Sequence, residues 1–179
     1  MEIRYVTGDA TRPEAPPGAA GPRIIVHVCN DVGGWGKGFV VALSRRWKTP
    51  EQRYRWWSKG ERAAHDGEAD PATFALGEVQ LVEVEPGVVV ANLVGQRGLS
   101  AGPDGTPPVR YDAIRAGLAT VAAYAARFPG ASVHMPRIGC GLAGGVWEEP
   151  ASGGGIGPIV RAELCDRGVP VTVYDLPPR

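Results

Sequence analysis

The chain has 179 residues with Lys+Arg and Asp+Glu balanced at 19 each, so no net field draws it to nucleic acid or an acidic membrane. That length suits one well-buried core, since a domain of about 150 residues buries about 68–70% of its unfolded surface. Three cysteines, Cys29, Cys140 and Cys165, form no CxxC pair, which argues against a disulfide framework and a zinc site. No metal or cofactor is expected. No stretch approaches the ~20 apolar residues of a membrane span, and the first residues lack the apolar core of a signal peptide. The expectation is a single domain over residues 1–179, monomeric, soluble and cytoplasmic.

Gly and Pro number 26 and 17, enough to raise the question of disorder, but much of the glycine gathers in two loops. Ile3 to Val6 alternates as an opening strand and Gly8-Asp9 turns it. Thr11 to Pro22 carries four prolines and no periodicity, so it is a loop. Arg23 to Cys29 is a nearly continuous apolar run, the pattern of a strand buried on both faces. Phe39, Val40, Leu43 and Trp47 then recur at helical spacing, in a helix that stops before Pro50.

Glu51 to Lys59 predicts a second helix rich in aromatic and basic residues. Snorkelling arginines beside core aromatics explain that mixture better than nucleic-acid binding. Val79–Val84 and Val88–Leu93 flank Glu85-Pro86-Gly87 as a hairpin, and Gln96 to Pro108 is a loop. Tyr111, Ile114, Leu118, Val121 and Ala122 mark a helix that ends near Phe128. Ser132 to Met135 is a short strand, Pro158 to Arg167 a last helix and Val171 to Tyr174 a closing strand. Strands interleaved with helices, with one hairpin, predict a three-layer α/β/α domain with a mixed sheet and a ligand crevice at the strand carboxyl ends.

Two glycine-rich loops leave such strand ends. One runs from Cys29 through Asn30, Asp31, Gly33, Gly34, Trp35, Gly36, Lys37 and Gly38 to Phe39. The other runs from Met135 through Arg137, Ile138, Gly139, Cys140, Gly141, Leu142, Ala143 and Gly144 to Trp147. Glycine loops between a strand and a helix offer backbone N–H groups to phosphate, and two of them suggest a ligand with two neighbouring phosphates. The first lacks the Lys-Ser/Thr ending of a P-loop. Gly139 to Gly144 matches G-x-G-x-x-G but has too few strands after it for a dinucleotide fold.

With Thr7-Gly8-Asp9 after the first strand, Asn30 at the head of one loop and Pro136-Arg137-Ile138-Gly139-Cys140-Gly141 in the other, followed by Trp147, the chain resembles a macrodomain. Its pattern is similar to the branch holding the terminal ADP-ribose glycohydrolase, the yeast ADP-ribose-1''-phosphatase and the chromatin-remodeller macrodomain. The resemblance implies binding of ADP-ribose and of ADP-ribosylated proteins. Asp9 would accept from the adenine amine, with Ala10 beside it among the ligand-binding residues, and Asn30 would meet the distal ribose. Gly33, Gly34, Gly36 and Gly38, with Phe39 closing the loop, would let the backbone approach the ribose and diphosphate. Gly139, Cys140, Gly141 and Leu142 would give N–H groups from the other wall, beside Arg137, Ile138 and Ala143.

Trp147 stands where the family has an aromatic beside the distal ribose, with a core tryptophan as the alternative. Trp35 is a candidate gate, Lys37 a counter-charge for the diphosphate and Gln96 a polar contact. His27 and His134 lie in apolar strands and read as core residues. Gly95 and Ala143 occupy the places of the glycohydrolase's lysine and aspartate, so its lysine-adduct chemistry does not carry over. The resemblance implies instead substrate-assisted hydrolysis of ADP-ribosyl esters on acidic side chains, with Asp31 orienting the water or merely capping its loop. A non-catalytic ADP-ribose reader and an ADP-ribose-1''-phosphate phosphatase are the alternatives.

Overall fold

A computed structural model describes residues 1–61 and 70–178. The order of elements is β1 (Arg4–Thr7), β2 (Arg23–Asn30), α1 (Phe39–Arg46), α2 (Thr49–Ser58), β3 (Val79–Glu85), β4 (Val88–Gln96), α3 (Tyr111–Ala125), β5 (Ser132–Met135), α4 (Ile156–Glu163) and β6 (Val171–Asp175), with a 3₁₀ turn at Cys165–Arg167 before β6. One six-stranded sheet runs β1-β6-β5-β2-β4-β3. Its strands pair in parallel except β3, which returns antiparallel to β4 from the Pro86-Gly87 hairpin.

Alternation along the central strands divides the core between two faces. Ile24 and Val26 of β2, Leu93 of β4, Val133 of β5 and Val173 of β6 pack with Ile114, Leu118 and Val121 of α3 and with Ile159 and Val160 of α4. Ile25, Val88 and Val90 face the other way, onto Leu43, Phe39 and Trp47. Further along that face Cys29 and Val94 meet Tyr54 and Trp57 of α2. Each fully buried aliphatic or aromatic side chain contributes about 1.5–3 kcal/mol, so β2, buried on both faces, anchors the sandwich. This is the α/β/α fold with a mixed sheet that the sequence predicts.

The last helix differs from expectation at both ends for local reasons. The last helix starts at Ile156 rather than Pro158 and ends at Glu163, and the stretch to Arg167 tightens into the 3₁₀ turn. Pro158 is tolerated inside the first turn because its missing N–H has no intrahelical partner there. The second glycine loop therefore does not lead straight into a helix. It continues to Gly155, which starts α4 at φ 111 with its Cβ direction only 2.6 Å from Trp147 O.

Candidate functional site

The carboxyl ends of β2, β4 and β5 open into a cleft of about 530 Å³ between the two glycine loops. Its wall includes Asn30, Gly34, Trp35, Gly36, Lys37, Gly38 and Phe39 from the first side. Arg137, Ile138, Gly139, Gly141, Leu142 and Ala143 line the other side, with Gln96 from the end of β4 and Leu99 from the β4–α3 loop. The sheet brings these segments together because β2 pairs with β4 on one side and with β5 on the other.

The first loop is organised from within. Asn30 Oδ1 accepts the N–H groups of Val32 (3.1 Å) and Gly34 (2.9 Å), while its Nδ2 donates to Gly34 O at 2.8 Å. Helix α2 braces the same loop: Arg55 Nη2 donates to Trp35 O at 3.0 Å. Trp35 in turn donates from Nε1 to Ser44 Oγ at 2.8 Å, and Ser44 donates to Glu51 at 2.9 Å. The candidate gate is thus a tethered side chain.

Gly38 ends the loop at φ 80 as the residue preceding α1, which has no side-chain cap and no acidic residue in its first turn. Its opening N–H groups carry the positive end of the helix dipole, and Gly38, Phe39 and Val40 line the cleft. Across from them, the second loop closes on itself through Gly145 N–H to Gly139 O (2.8 Å) and Gly144 N–H to Gly141 O (3.0 Å). Among the described residues the N–H groups of Gly141, Leu142 and Ala143 have no acceptor. Two sets of open donors therefore belong to one cleft.

Several expected site residues do not line this cleft. Asp9 is half-exposed at the end of β1 and accepts from Thr11 N–H (2.9 Å) and Thr11 Oγ1 (2.8 Å). Asp9, buried Ala10, Gly33 and Cys140 are not among the cleft-lining residues. Trp147 is buried in the core beside α3 and α4, donating from its indole to Tyr5 OH at 3.0 Å. Asp31 is not among the lining residues either, and its Oδ1 accepts Gly98 N–H at 2.7 Å. Arg137 lines the cleft, yet its guanidinium is held bidentately by Asp175 at 2.7 and 2.8 Å and lies over the rings of Tyr5 and Trp147. That pairing draws the Asp175 carboxyl below its usual range.

His27, read from sequence as a core residue, is buried but also forms part of the cleft floor. Asn92 uses its amide nitrogen on Pro50 O and Gln80 Oε1, leaving Oδ1 to accept His27 Nε2–H at 2.5 Å. Burial holds the imidazole neutral, with a pKa near 4. Burial also pushes the Cys29 thiol up and the Cys140 thiol to about 11, so neither is a ready thiolate. No carboxylate lines the cleft among the described residues, and none of them forms a group of three or more His, Cys, Asp or Glu placed to hold a metal.

The mixed sheet, the cleft at its strand ends and the facing glycine loops define an α/β ligand-binding domain. No family model matches the chain. A solved macrodomain protein from Streptomyces coelicolor is 50% identical, covering 97% of this chain and 99% of its own, with a TM-score of 0.73. The chain belongs to the macrodomain family. Zebrafish chromodomain-helicase-DNA-binding protein 1-like is 32% identical over 96% of this chain, and the chain spans less than a fifth of the length of the curated relatives it matches. The same fold occurs in Thermosipho africanus DarTG in complex with ADP-ribose, with a TM-score of 0.61 at 18% identity over 86% of this chain and 38% of that one.

Proposed function

We propose that the cleft binds ADP-ribose and that the protein hydrolyses ADP-ribosyl esters formed on acidic side chains of other proteins. The observation that carries this reading is the pair of open N–H rows, at the start of α1 and in residues 141–143, within one cleft. A diphosphate accepts from both. Lys37, exposed on the cleft wall, adds a cation beside it. The ADP-ribose in the complex of T. africanus DarTG, which shares the fold, supports the same ligand.

The choice of linkage in this reading rests on the groups of the cleft wall. With no carboxylate lining the cleft among the described residues and His27 neutral and tied to Asn92, neither a carboxylic acid nor an imidazolium stands ready to protonate a leaving group. An aspartyl or glutamyl carboxylate departs unprotonated; a serine alkoxide or an arginine guanidine does not. Water held between diphosphate and distal ribose adds to the anomeric carbon as its C–O bond to the carboxylate breaks. The carboxylate leaves with the bonding pair, and a phosphate oxygen of the ligand takes the proton. The loops supply position and charge stabilisation. Incubation with proteins ADP-ribosylated on glutamate, serine or arginine tests this: glutamate-linked signal is lost and the other two persist. If all three persist while ADP-ribose binds, the protein is a reader, a reading that the lack of a lining carboxylate among the described residues also favours.

A further inference from the structure

We propose that Asp31 is a positioning residue that holds one wall of the cleft, and that its charge takes no part in moving a proton. The inference rests on the ADP-ribose reading and assigns a different role to the single carboxylate of the first glycine loop. Two hydrogen bonds tie Asp31 to the end of β4 and the turn after it, and a third closes that turn on itself. Asp31 N–H donates to Gln96 O at 3.0 Å, Asp31 Oδ1 accepts Gly98 N–H at 2.7 Å, and Gln96 Nε2 donates to Gly98 O at 2.9 Å. Gly98 adopts φ +66, and a Cβ there would meet nothing within 4 Å. These bonds, together with the one that Arg97 N–H donates to Pro108 O at 2.8 Å, hold the sharp turn.

The knot fixes two cleft-lining side chains. With Nε2 committed to Gly98 O, Gln96 keeps Oε1 as its open acceptor. Leu99, the next residue after the pinned amide, lies over the first glycine loop: a Cβ on Gly34 would sit 2.7 Å from Leu99 Cδ2. Leu99 nevertheless remains 64% exposed, so little besides the turn sets its place. Arg97 lies 3.9 Å from Asp31 Oδ2 with its own side chain 70% exposed, a contact too open to define geometry. What the turn needs from residue 31 is an acceptor, and a neutral amide oxygen supplies one.

Asp31→Ala and Asp31→Asn separate the two roles, read by ADP-ribose titration, by the pH profile of ester hydrolysis and by hydrogen exchange at the Gly98 amide. In D31A, Gly98 exchanges at least tenfold faster and the ADP-ribose Kd rises about tenfold. In D31N, Gly98 protection and Kd return to within about threefold of wild type, with the pH profile of hydrolysis unshifted. Turnover lost in D31N while Gly98 stays protected and ADP-ribose still binds would overturn the proposal in favour of a proton-transfer role. Unchanged Gly98 exchange in D31A would overturn it as well. If wild-type protein does not bind ADP-ribose, the ligand reading fails, and the Gly98 exchange of the two variants still decides whether Asp31 is the strut.

Discussion

The buried hydroxyl of Tyr54 lies 2.6 Å from the carbonyl oxygen of Asn30 and 2.9 Å from Asn30 Oδ1. Helix α2 thereby clamps the point where β2 gives way to the first glycine loop. Tyr54→Phe keeps the ring but leaves those oxygens without their buried donor, a loss of about 1–3 kcal/mol. Urea denaturation will show that decrease, and the ADP-ribose Kd will rise because the Asn30-centred loop loosens. Unchanged stability and affinity would mean that α2 does not brace the site.

Glycine at 36 is a matter of ligand access rather than of folding. A Cβ there meets nothing within 4 Å, and the residue lines the cleft. Gly36→Val should melt within about 2 °C of wild type, as an exposed substitution typically changes stability by less than about 0.5 kcal/mol, yet bind ADP-ribose at least tenfold more weakly. By contrast, Gly145→Ala drives a Cβ to 2.6 Å from Gly139 O and should lower the melting temperature first. The two variants together distinguish space kept for the ligand from space filled by the fold.

Lys37 offers its charge at the rim of the cleft without holding the loop together. Lys37→Gln should weaken ADP-ribose binding several-fold at low salt and much less at about 1 M salt, where the Debye length shrinks to about 3 Å. Calorimetric titration at both ionic strengths checks this. A salt-independent loss would show that the side chain acts through shape.

Stability should fall as acid is added, well before most carboxylates titrate. His27 is held near pKa 4 by burial, against the opposing bond from Asn92, and His134 near 4 by burial with the nearby charges of Arg23 and Arg4. An unfolded histidine titrates near 6.5, so between 6.5 and about 4 the unfolded chain binds protons that the folded chain refuses. The stabilisation is complete above 6.5, declines as pH drops and levels off near 4, by about 3 kcal/mol per histidine. Urea midpoints between pH 7.5 and 4 report it, and His134→Gln should flatten the slope by about half. A pH-independent midpoint would contradict the buried neutral state.

Periodicity made most of the fold legible. Ser132–Met135 appears with the expected bounds, and the apolar run from Arg23 becomes the central strand. Glycine and asparagine patterns likewise located the cleft, because φ > 0 at Gly33, Gly38 and Gly139 is a local demand that sequence displays. What sequence concealed was the direction of side chains. Asp31 and Trp147 sit in the two loops as a loop ligand would, but one reaches back to Gly98 and the other into the core. His27 looks like interior because it is interior; only the ending of the sheet nearby makes it a cleft floor. The bond from Arg137 to Asp175 joins residues 38 apart in sequence, which no local pattern reveals.

Calorimetric titration of the protein with ADP-ribose tests the central claim most directly, since binding is the premise of every role assigned to the two loops. The account predicts saturable heat at one ligand per chain, weakened by Gly36→Val without loss of stability. An absence of heat and of thermal stabilisation at millimolar ADP-ribose, with the protein folded, would contradict it.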